Sequence, residues 1–290
     1  MFYITFKHHL KDFLNKKKNK KLFVFRIYII KIKEKSESMN SFISWIGGKK
    51  LLRNKIVEQF PQDKSFKTYV EVFGGAGWVL FNKERFALNE VYNDINSDLV
   101  NLFKCVKYHA PELQRELNFM LNSRELFEDY ISQYASKGLT DIQRAARYFL
   151  LIKTSYSSKM EHYGAVKRDI EKMKTYILDI QKRLSTVVIE NRSYEKIIEK
   201  YDTASTLFYL DPPYHNSEYL YNTDFDEQQH LQLQELLKHI KGKFVLSYND
   251  DNFTRNLYKN LNILEVERNH NFTCRYNKNR RFKELIIKNY

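Results

Sequence analysis

Four residues concentrate the chemistry of this chain: Asp211-Pro212-Pro213-Tyr214, set directly after the apolar run Leu207-Phe208-Tyr209-Leu210. A strand ending this way presents a carboxylate, a rigid carbonyl and an aromatic face at the carboxyl edge of a sheet. The prolines fix the backbone and leave carbonyl oxygens without a local amide partner. An exocyclic amine on an aromatic ring is a poor nucleophile, because its lone pair is delocalised into the ring. If the Asp211 carboxylate and the Pro212 carbonyl both accept its protons, the nitrogen moves toward tetrahedral geometry and its lone pair can point at a methyl group. Tyr214 would stack on the extruded base, worth roughly 1–3 kcal/mol. A structural turn is the bland alternative, and the preceding strand and an upstream glycine cluster weigh against it.

That cluster is Gly74-Gly75-Ala76-Gly77, entered straight from Tyr69-Val70-Glu71-Val72-Phe73. Glycines at a strand-to-helix turn let backbone approach a ligand closely. Asp94 follows 17 residues after Gly77, where a carboxylate can accept hydrogen bonds from ribose hydroxyls. Together these suit a nucleoside site, although an ordinary tight turn also explains the glycines. The spacing is not the dinucleotide fingerprint G-x-G-x-x-G. Gly47-Gly48-Lys49-Lys50 also lacks the first Gly and the following Ser or Thr of a phosphate loop.

The elements that must carry these residues read as a βα alternation from Met39 onward. Strands are predicted at Tyr69–Phe73, Phe86–Tyr92, Val187–Glu190, Leu207–Leu210, Phe244–Tyr248, Leu261–Val266 and Leu285–Lys288. Several are short and wholly apolar, as strands covered on both faces are. Helices are predicted at 49–59, 78–84, 96–108 and 226–241. Residues 104–185 break the alternation with helical periodicity, interrupted by a polar loop at Thr154–Gly164. The fold class is therefore α/β: a Rossmann-like sheet of about seven strands, formed by 39–103 and 186–290, with 104–185 as an inserted helical module.

The 290 residues are 43% hydrophobic, with four Pro and eight Gly, too few turn formers for an all-β chain and too much apolar mass for a disordered one. The net charge of +14 points to a polyanionic partner such as nucleic acid. Residues 1–38 hold ten Lys and one Arg against Asp12, Glu34 and Glu37, so this segment carries +8 of that charge. Its apolar run, Leu22–Ile32, is broken by Arg26 and Lys31 and is too short for a membrane span. It reads either as a basic arm for DNA or as upstream sequence from a start placed too early, Met39 being the alternative start. Cys105 and Cys274 stand far apart, outside metal-ligand spacing, and read as reduced thiols in a cytoplasmic protein with no metal centre.

The ordered set Ile43-Ser44-Trp45-Ile46-Gly47-Gly48-Lys49, Glu71-Val72-Phe73-Gly74-Gly75-Ala76-Gly77, Asn93-Asp94-Ile95-Asn96-Ser97-Asp98-Leu99 and Asp211-Pro212-Pro213-Tyr214 resembles the Dam-like DNA adenine methyltransferases. The closing Lys283-Glu284-Leu285-Ile286-Ile287-Lys288-Asn289-Tyr290 is similar to that family's last strand. The resemblance covers residues 42–290. It implies methyl transfer from S-adenosylmethionine to the 6-amino nitrogen of a flipped-out adenine in double-stranded DNA. It further implies that Trp45 and Lys49 sit by the methionine end of the cofactor, with Lys49 facing its carboxylate. Glu71, Phe73, Gly75 and Gly77 would form the cofactor loop, Asp94 and Ile95 would hold and sandwich the adenosine, and Asp211 to Tyr214 would hold the base, Asp211 also lining the cofactor site. Members that read GATC carry a stretch like N-R-Y-G-Y-N-G with a β-hairpin; the corresponding place here is Thr154-Ser155-Tyr156-Ser157-Ser158-Lys159.

Target reading is therefore assigned to the insert, with Ser157, Lys159 and His162 as DNA contacts. Arg275, Tyr276, Lys278, Arg280, Arg281 and Lys283, between the last two predicted strands, are assigned to phosphate contact or to a solvated loop. A cytoplasmic monomer is expected, in a bacterial cell or encoded by a phage or mobile element, with a cognate restriction endonuclease as a candidate partner. Two rivals stand beside this reading: an RNA base-amine methyltransferase, and an inactive DNA-binding protein on the same fold.

Overall fold

The apolar runs pair into one seven-stranded sheet in the computed structural model, which describes residues 39–63, 65–165, 169–218, 225–269 and 281–290. The strands are β1 (Thr68–Glu71), β2 (Asn89–Asn93), β3 (Val187–Glu190), β4 (Thr206–Leu210), β5 (Lys243–Asn249), β6 (Asn262–Asn269) and β7 (Arg281–Lys288). Their order is β3-β2-β1-β4-β5-β7-β6. The five strands from β3 to β5 run parallel, and β7 lies antiparallel between β5 and β6. Chain order reverses between β1 and β4, so the carboxyl ends of these two strands flank a crevice of the kind in which ligands bind on open α/β sheets.

The helices in chain order are α1 (Arg53–Val57), α2 (Ser97–Tyr108), α3 (Ala110–Leu117), α4 (Arg124–Ser132), α5 (Asp141–Thr154), α6 (Ile170–Leu184), α7 (Tyr194–Tyr201), α8 (Glu227–His239) and α9 (Asn252–Leu257). Alternate strand residues turn to opposite faces. Val70, Val72, Phe208, Leu210, Leu246 and Ile287 share one buried core with Ile197 and Ile198 of α7 and Leu233 and Leu237 of α8. Tyr69 packs instead against Phe60 and Phe86. Among the described residues no helix is long and apolar enough to cross a membrane.

Between β2 and β3 the chain forms α2 to α6. Asn96 starts α2 by accepting the Asp98 and Leu99 N–H groups, and Thr140 and Gln143 close a capping box on α5. The expected start of the insert at residue 104 falls inside α2, which packs on both α5 and α6. The helical segment thus grows out of a helix that follows β2 directly. A buried ion pair ties its far end back: Arg183 of α6 meets both Glu90 oxygens on β2, at 2.7 and 2.9 Å, and also donates to the Leu80 and Lys83 carbonyls at 2.9 Å.

Several predicted elements come out shorter or longer. The 49–59 helix contracts to Arg53–Val57, and the 78–84 helix to a 3-10 turn at Leu80–Asn82. The second strand begins at Asn89, not Phe86, because the Phe86 N–H turns onto Glu90 Oε1 at 2.9 Å and the Arg85 guanidinium gathers the Ala87 carbonyl at 2.8 Å. The last two strands are longer, which places Arg281 and Lys283 on β7 rather than in a loop. Residues 1–38, Arg275, Tyr276, Lys278 and Arg280 lie outside the described residues.

Candidate active site

At the β1/β4 switch point lies an open cavity lined by Trp45, Lys49, Glu71, Phe73, Gly75, Asp94, Ile95, Asp211 and Pro213, among others. Residues of all four motifs, 43–49, 71–77, 93–99 and 211–214, converge there. The glycine turn is shaped by backbone conformations that side chains resist: Gly75 has φ +49° and Gly77 φ +67°. A Cβ on Gly75 would stand 3.0 Å from the Trp45 ring, so the glycine also lets the indole close over the loop.

Asp94 has a structural task beyond the predicted one. Its Oδ2 accepts the Gly75 N–H and its Oδ1 the Asn96 N–H, both at 2.8 Å, so the carboxylate binds the glycine turn to the loop after β2. The Tyr92 hydroxyl donates to the Gly75 carbonyl at 2.7 Å and braces the same turn. Each carboxylate oxygen keeps a lone pair for a further donor. Burial holds the Asp94 carboxyl above its ordinary value against these backbone donors. Ile95, 54% exposed, forms an open apolar lip.

Glu71, at the end of β1, is 2% exposed and accepts the Tyr69 hydroxyl at 2.9 Å. Burial pushes it up to about 8, so the group is a neutral acid at pH 7. Phe73 stacks on Tyr194 at 5.7 Å.

Asp211 sits at the end of β4, where burial lifts its carboxyl to about 6 against the pull of Lys49. The Lys49 ammonium stands 2.7 Å from Asp211 Oδ1 and donates to the Gly47 carbonyl at 2.9 Å. The resemblance had Lys49 facing the cofactor's carboxylate; here its ammonium is drawn across the cavity to the acid of the Asp-Pro-Pro-Tyr motif, the nearest anion in a buried site. Tyr214 is anchored, its hydroxyl donating to Glu284 Oε2 at 2.7 Å and its ring stacked 5.7 Å from Tyr248. Pro212 is buried beside the cavity wall.

Glu284, unassigned in the sequence, therefore belongs to this site. Its signal was a lone acid heading the apolar run Leu285-Ile286-Ile287. Tyr209 and Trp78 also line the cavity and carried no signal beyond their apolar surroundings.

Away from the cavity, Thr154–Gly164 closes as a hairpin. Ser155 and Tyr163 form an antiparallel bridge, the Tyr156 N–H donates to the His162 carbonyl at 2.8 Å, and the Gly164 N–H donates to the Thr154 carbonyl at 2.7 Å. Lys159 and His162 are exposed, while Ser157 is half-buried with φ 56°. Ser158 Oγ meets Ser44 Oγ at 2.7 Å, which fastens the hairpin to the loop carrying Trp45.

A parallel sheet with an antiparallel last strand pair, a glycine turn braced by an acid and a proline-locked acid across the switch point define an α/β enzyme acting on a nucleoside-like ligand. Residues 45–272 match the D12 class N6 adenine-specific DNA methyltransferase family, and the chain belongs to it. It is similar to the type II methyltransferase M.CviBI of Paramecium bursaria Chlorella virus NC1A, 25% identical over 87% of this chain and 100% of that protein. The type II methyltransferase M.MjaIII of Methanocaldococcus jannaschii is 28% identical over 86% and 98%. The DNA adenine methylase of Haemophilus influenzae is 26% identical over 84% and 92%. The enzyme is thus an adenine-specific DNA methyltransferase.

Proposed function

We propose that the enzyme methylates adenine at specific duplex sites, with S-adenosylmethionine as donor, the adenine rotated out of the helix, and the Thr154–Gly164 hairpin reading its neighbours. The carrying observation is that Asp211 and residues 74–76 of the glycine turn line one cavity across the switch point, Gly77 standing behind that lining.

The lining suits that donor. Trp45, Phe73 and Ile95 offer apolar faces for an adenine ring, Asp94 keeps acceptor capacity for ribose hydroxyls, and Gly75 leaves room a Cβ would fill. When bound, the donor supplies a methyl group carried on a sulfonium sulfur. Asp211 and the Pro212 carbonyl accept the two amine protons of the target base, which frees the nitrogen lone pair, and Asp211 takes the proton released when the new carbon–nitrogen bond forms. The ionised carboxylate is required for both tasks. Because burial raises Asp211 to about 6, turnover falls as pH drops through that value.

Residues 39–103 and 186–290 form the catalytic part in this reading, and 104–185 the target-recognition part. Residues 1–38 act as a basic arm or lie outside the working protein. The enzyme works as a cytoplasmic monomer, and a restriction endonuclease of the same specificity is the partner suggested by the type II names of its relatives.

The test is transfer of labelled methyl to duplex DNA, single-stranded DNA and RNA, with Asp211→Asn alongside. Duplex DNA is expected to be the preferred substrate, and the variant to bind donor while losing turnover. Preferential labelling of RNA, or wild-type turnover by the variant, overturns the reading.

A further inference from the structure

Glu284 of β7 is 2% exposed, and both its oxygens are engaged. Oε2 accepts the Tyr214 hydroxyl at 2.7 Å and lies 4.0 Å from the Lys49 ammonium, while Oε1 pairs with the Arg268 guanidinium of β6. Lys49 therefore stands between two carboxylates, on Asp211 at 2.7 Å and within reach of Glu284. Its ammonium also lies 4.7 Å from the Tyr214 ring centroid, so Lys49 stands against Asp211, Glu284 and Tyr214 together.

We propose that Glu284 is a positioning residue for methyl transfer, which fixes Tyr214 by its hydroxyl and takes up Lys49 as the adenine amine claims Asp211. The inference rests on Asp211 receiving that amine. An ammonium has three donor protons and no acceptor, and here one proton goes to the Gly47 carbonyl. While Lys49 is held by Asp211, the acid is already partly neutralised and is a weaker acceptor for the incoming amine. Lys49 can leave only if its charge stays paired, because an uncompensated buried charge is strongly unfavourable. Glu284 supplies that second seat. Lys49 and Arg268 balance Asp211 and Glu284, so transfer between seats leaves the net charge of the array unchanged.

The ionisable groups around Asp211 are Lys49 on the loop before α1, Glu71 on β1, Tyr209 on β4, Tyr214 after it, Arg268 on β6 and Glu284 on β7. Glu284 is a like charge to Asp211 and raises its pKa, while Lys49 lowers it. Removing the Glu284 charge withdraws the first influence and leaves Lys49 on Asp211, so both effects act in the same direction.

The experiment is single-turnover methylation of duplex DNA across pH by Glu284→Gln, Tyr214→Phe, Lys49→Met and Lys49→Met/Glu284→Gln, with donor affinity by calorimetry. Glu284→Gln is expected to lose tenfold or more in the transfer rate, to keep donor affinity within about twofold, and to move its acidic limb to lower pH. Glu284→Asp, which retains the charge, should return the limb to the wild-type position. In the Lys49→Met background, Glu284→Gln should cost less than it does alone, because only its hold on the Tyr214 hydroxyl is then lost. That double variant removes one charge of each sign and keeps the test open if the single variant does not fold.

A wild-type rate in Glu284→Gln overturns the proposal. So does a loss with an unmoved limb that Tyr214→Phe reproduces, since Glu284 would then act through the hydroxyl alone. If instead Asp211→Asn retains turnover, the assignment of the amine to Asp211 falls, whatever Glu284 does.

Discussion

Replacing Asp94 by Asn separates two tasks for one carboxylate. Asp94 accepts the Gly75 N–H on one oxygen and the Asn96 N–H on the other, both at 2.8 Å. An amide of the same shape offers an oxygen to one of these donors and an NH₂ to the other. The misdirected donor costs about 1–3 kcal/mol, and the remaining bond loses its charge assistance, about 1 kcal/mol more. The total of roughly 2–4 kcal/mol divides between fold stability and donor affinity. A domain of this size melts about 2–4 °C lower per kcal/mol, so even half of the lower figure is visible in a thermal melt without ligand. The share that falls on binding weakens affinity about tenfold for each 1.4 kcal/mol. Melting by circular dichroism with and without S-adenosylmethionine, together with calorimetric titration, measures both parts. If the ligand-free melt is unchanged while affinity collapses, the carboxylate serves only the ligand and the bracing argument is wrong.

The buried Arg183–Glu90 pair gives a second prediction: Arg183→Met should destabilise the fold by about 3–5 kcal/mol by stranding Glu90, while Arg183→Met/Glu90→Leu recovers part of it, the Phe86 N–H and the Leu80 and Lys83 carbonyls having lost their partners. Chemical denaturation of the three proteins decides, and a double variant no better than the single refutes it. Because burial holds Glu71 at about 8, a cationic donor in its cavity should expel up to about one proton near pH 7 and none near pH 9. Titration in buffers of different ionisation enthalpy reads this directly, and buffer-independent heats at pH 7 would defeat it. Substituting Ser157, Lys159 or His162 should alter which sites are methylated, by about 1–3 kcal/mol of discrimination for each lost base contact, with donor affinity kept. An unchanged profile of modified bases in all three moves recognition toward 275–283.

The strand set and the turn that ends β4 were legible because each was signalled locally. Leu207–Leu210 is apolar throughout, and Asp211-Pro212-Pro213 can only end such a strand; the same holds for Val70 and Val72 running into Gly74. What escaped were features set by distant partners. Nothing near Phe86 in the sequence shows that its N–H turns onto Glu90 and delays β2, or that Arg183 crosses from α6 to the same carboxylate. The length of β7 also escaped, since charged Arg281, Lys283 and Glu284 dominate its start, which is held in the sheet by pairing with β6. Glu284 was visible as a residue, but its role is apparent only when Lys49, Tyr214 and Arg268 surround it. Asp94 lines the cavity, but one of the two hydrogen bonds that occupy it comes from a turn 19 residues earlier, which its own neighbourhood does not announce.

The Thr154–Gly164 hairpin is closed by main-chain hydrogen bonds and one bridge, and it carries left-handed Ser157, Ser158 and Met160 at its tip. Its outline is therefore written in the backbone, while the groups it shows to solvent are written in the side chains. Exposed side chains such as Lys159 and His162 can be exchanged with the same projecting frame kept, while Ser158, which meets Ser44, ties that frame to the loop before α1. If the hairpin reads the bases beside the target adenine, as proposed above, such a partition lets the recognised sequence change while the frame that presents it stays.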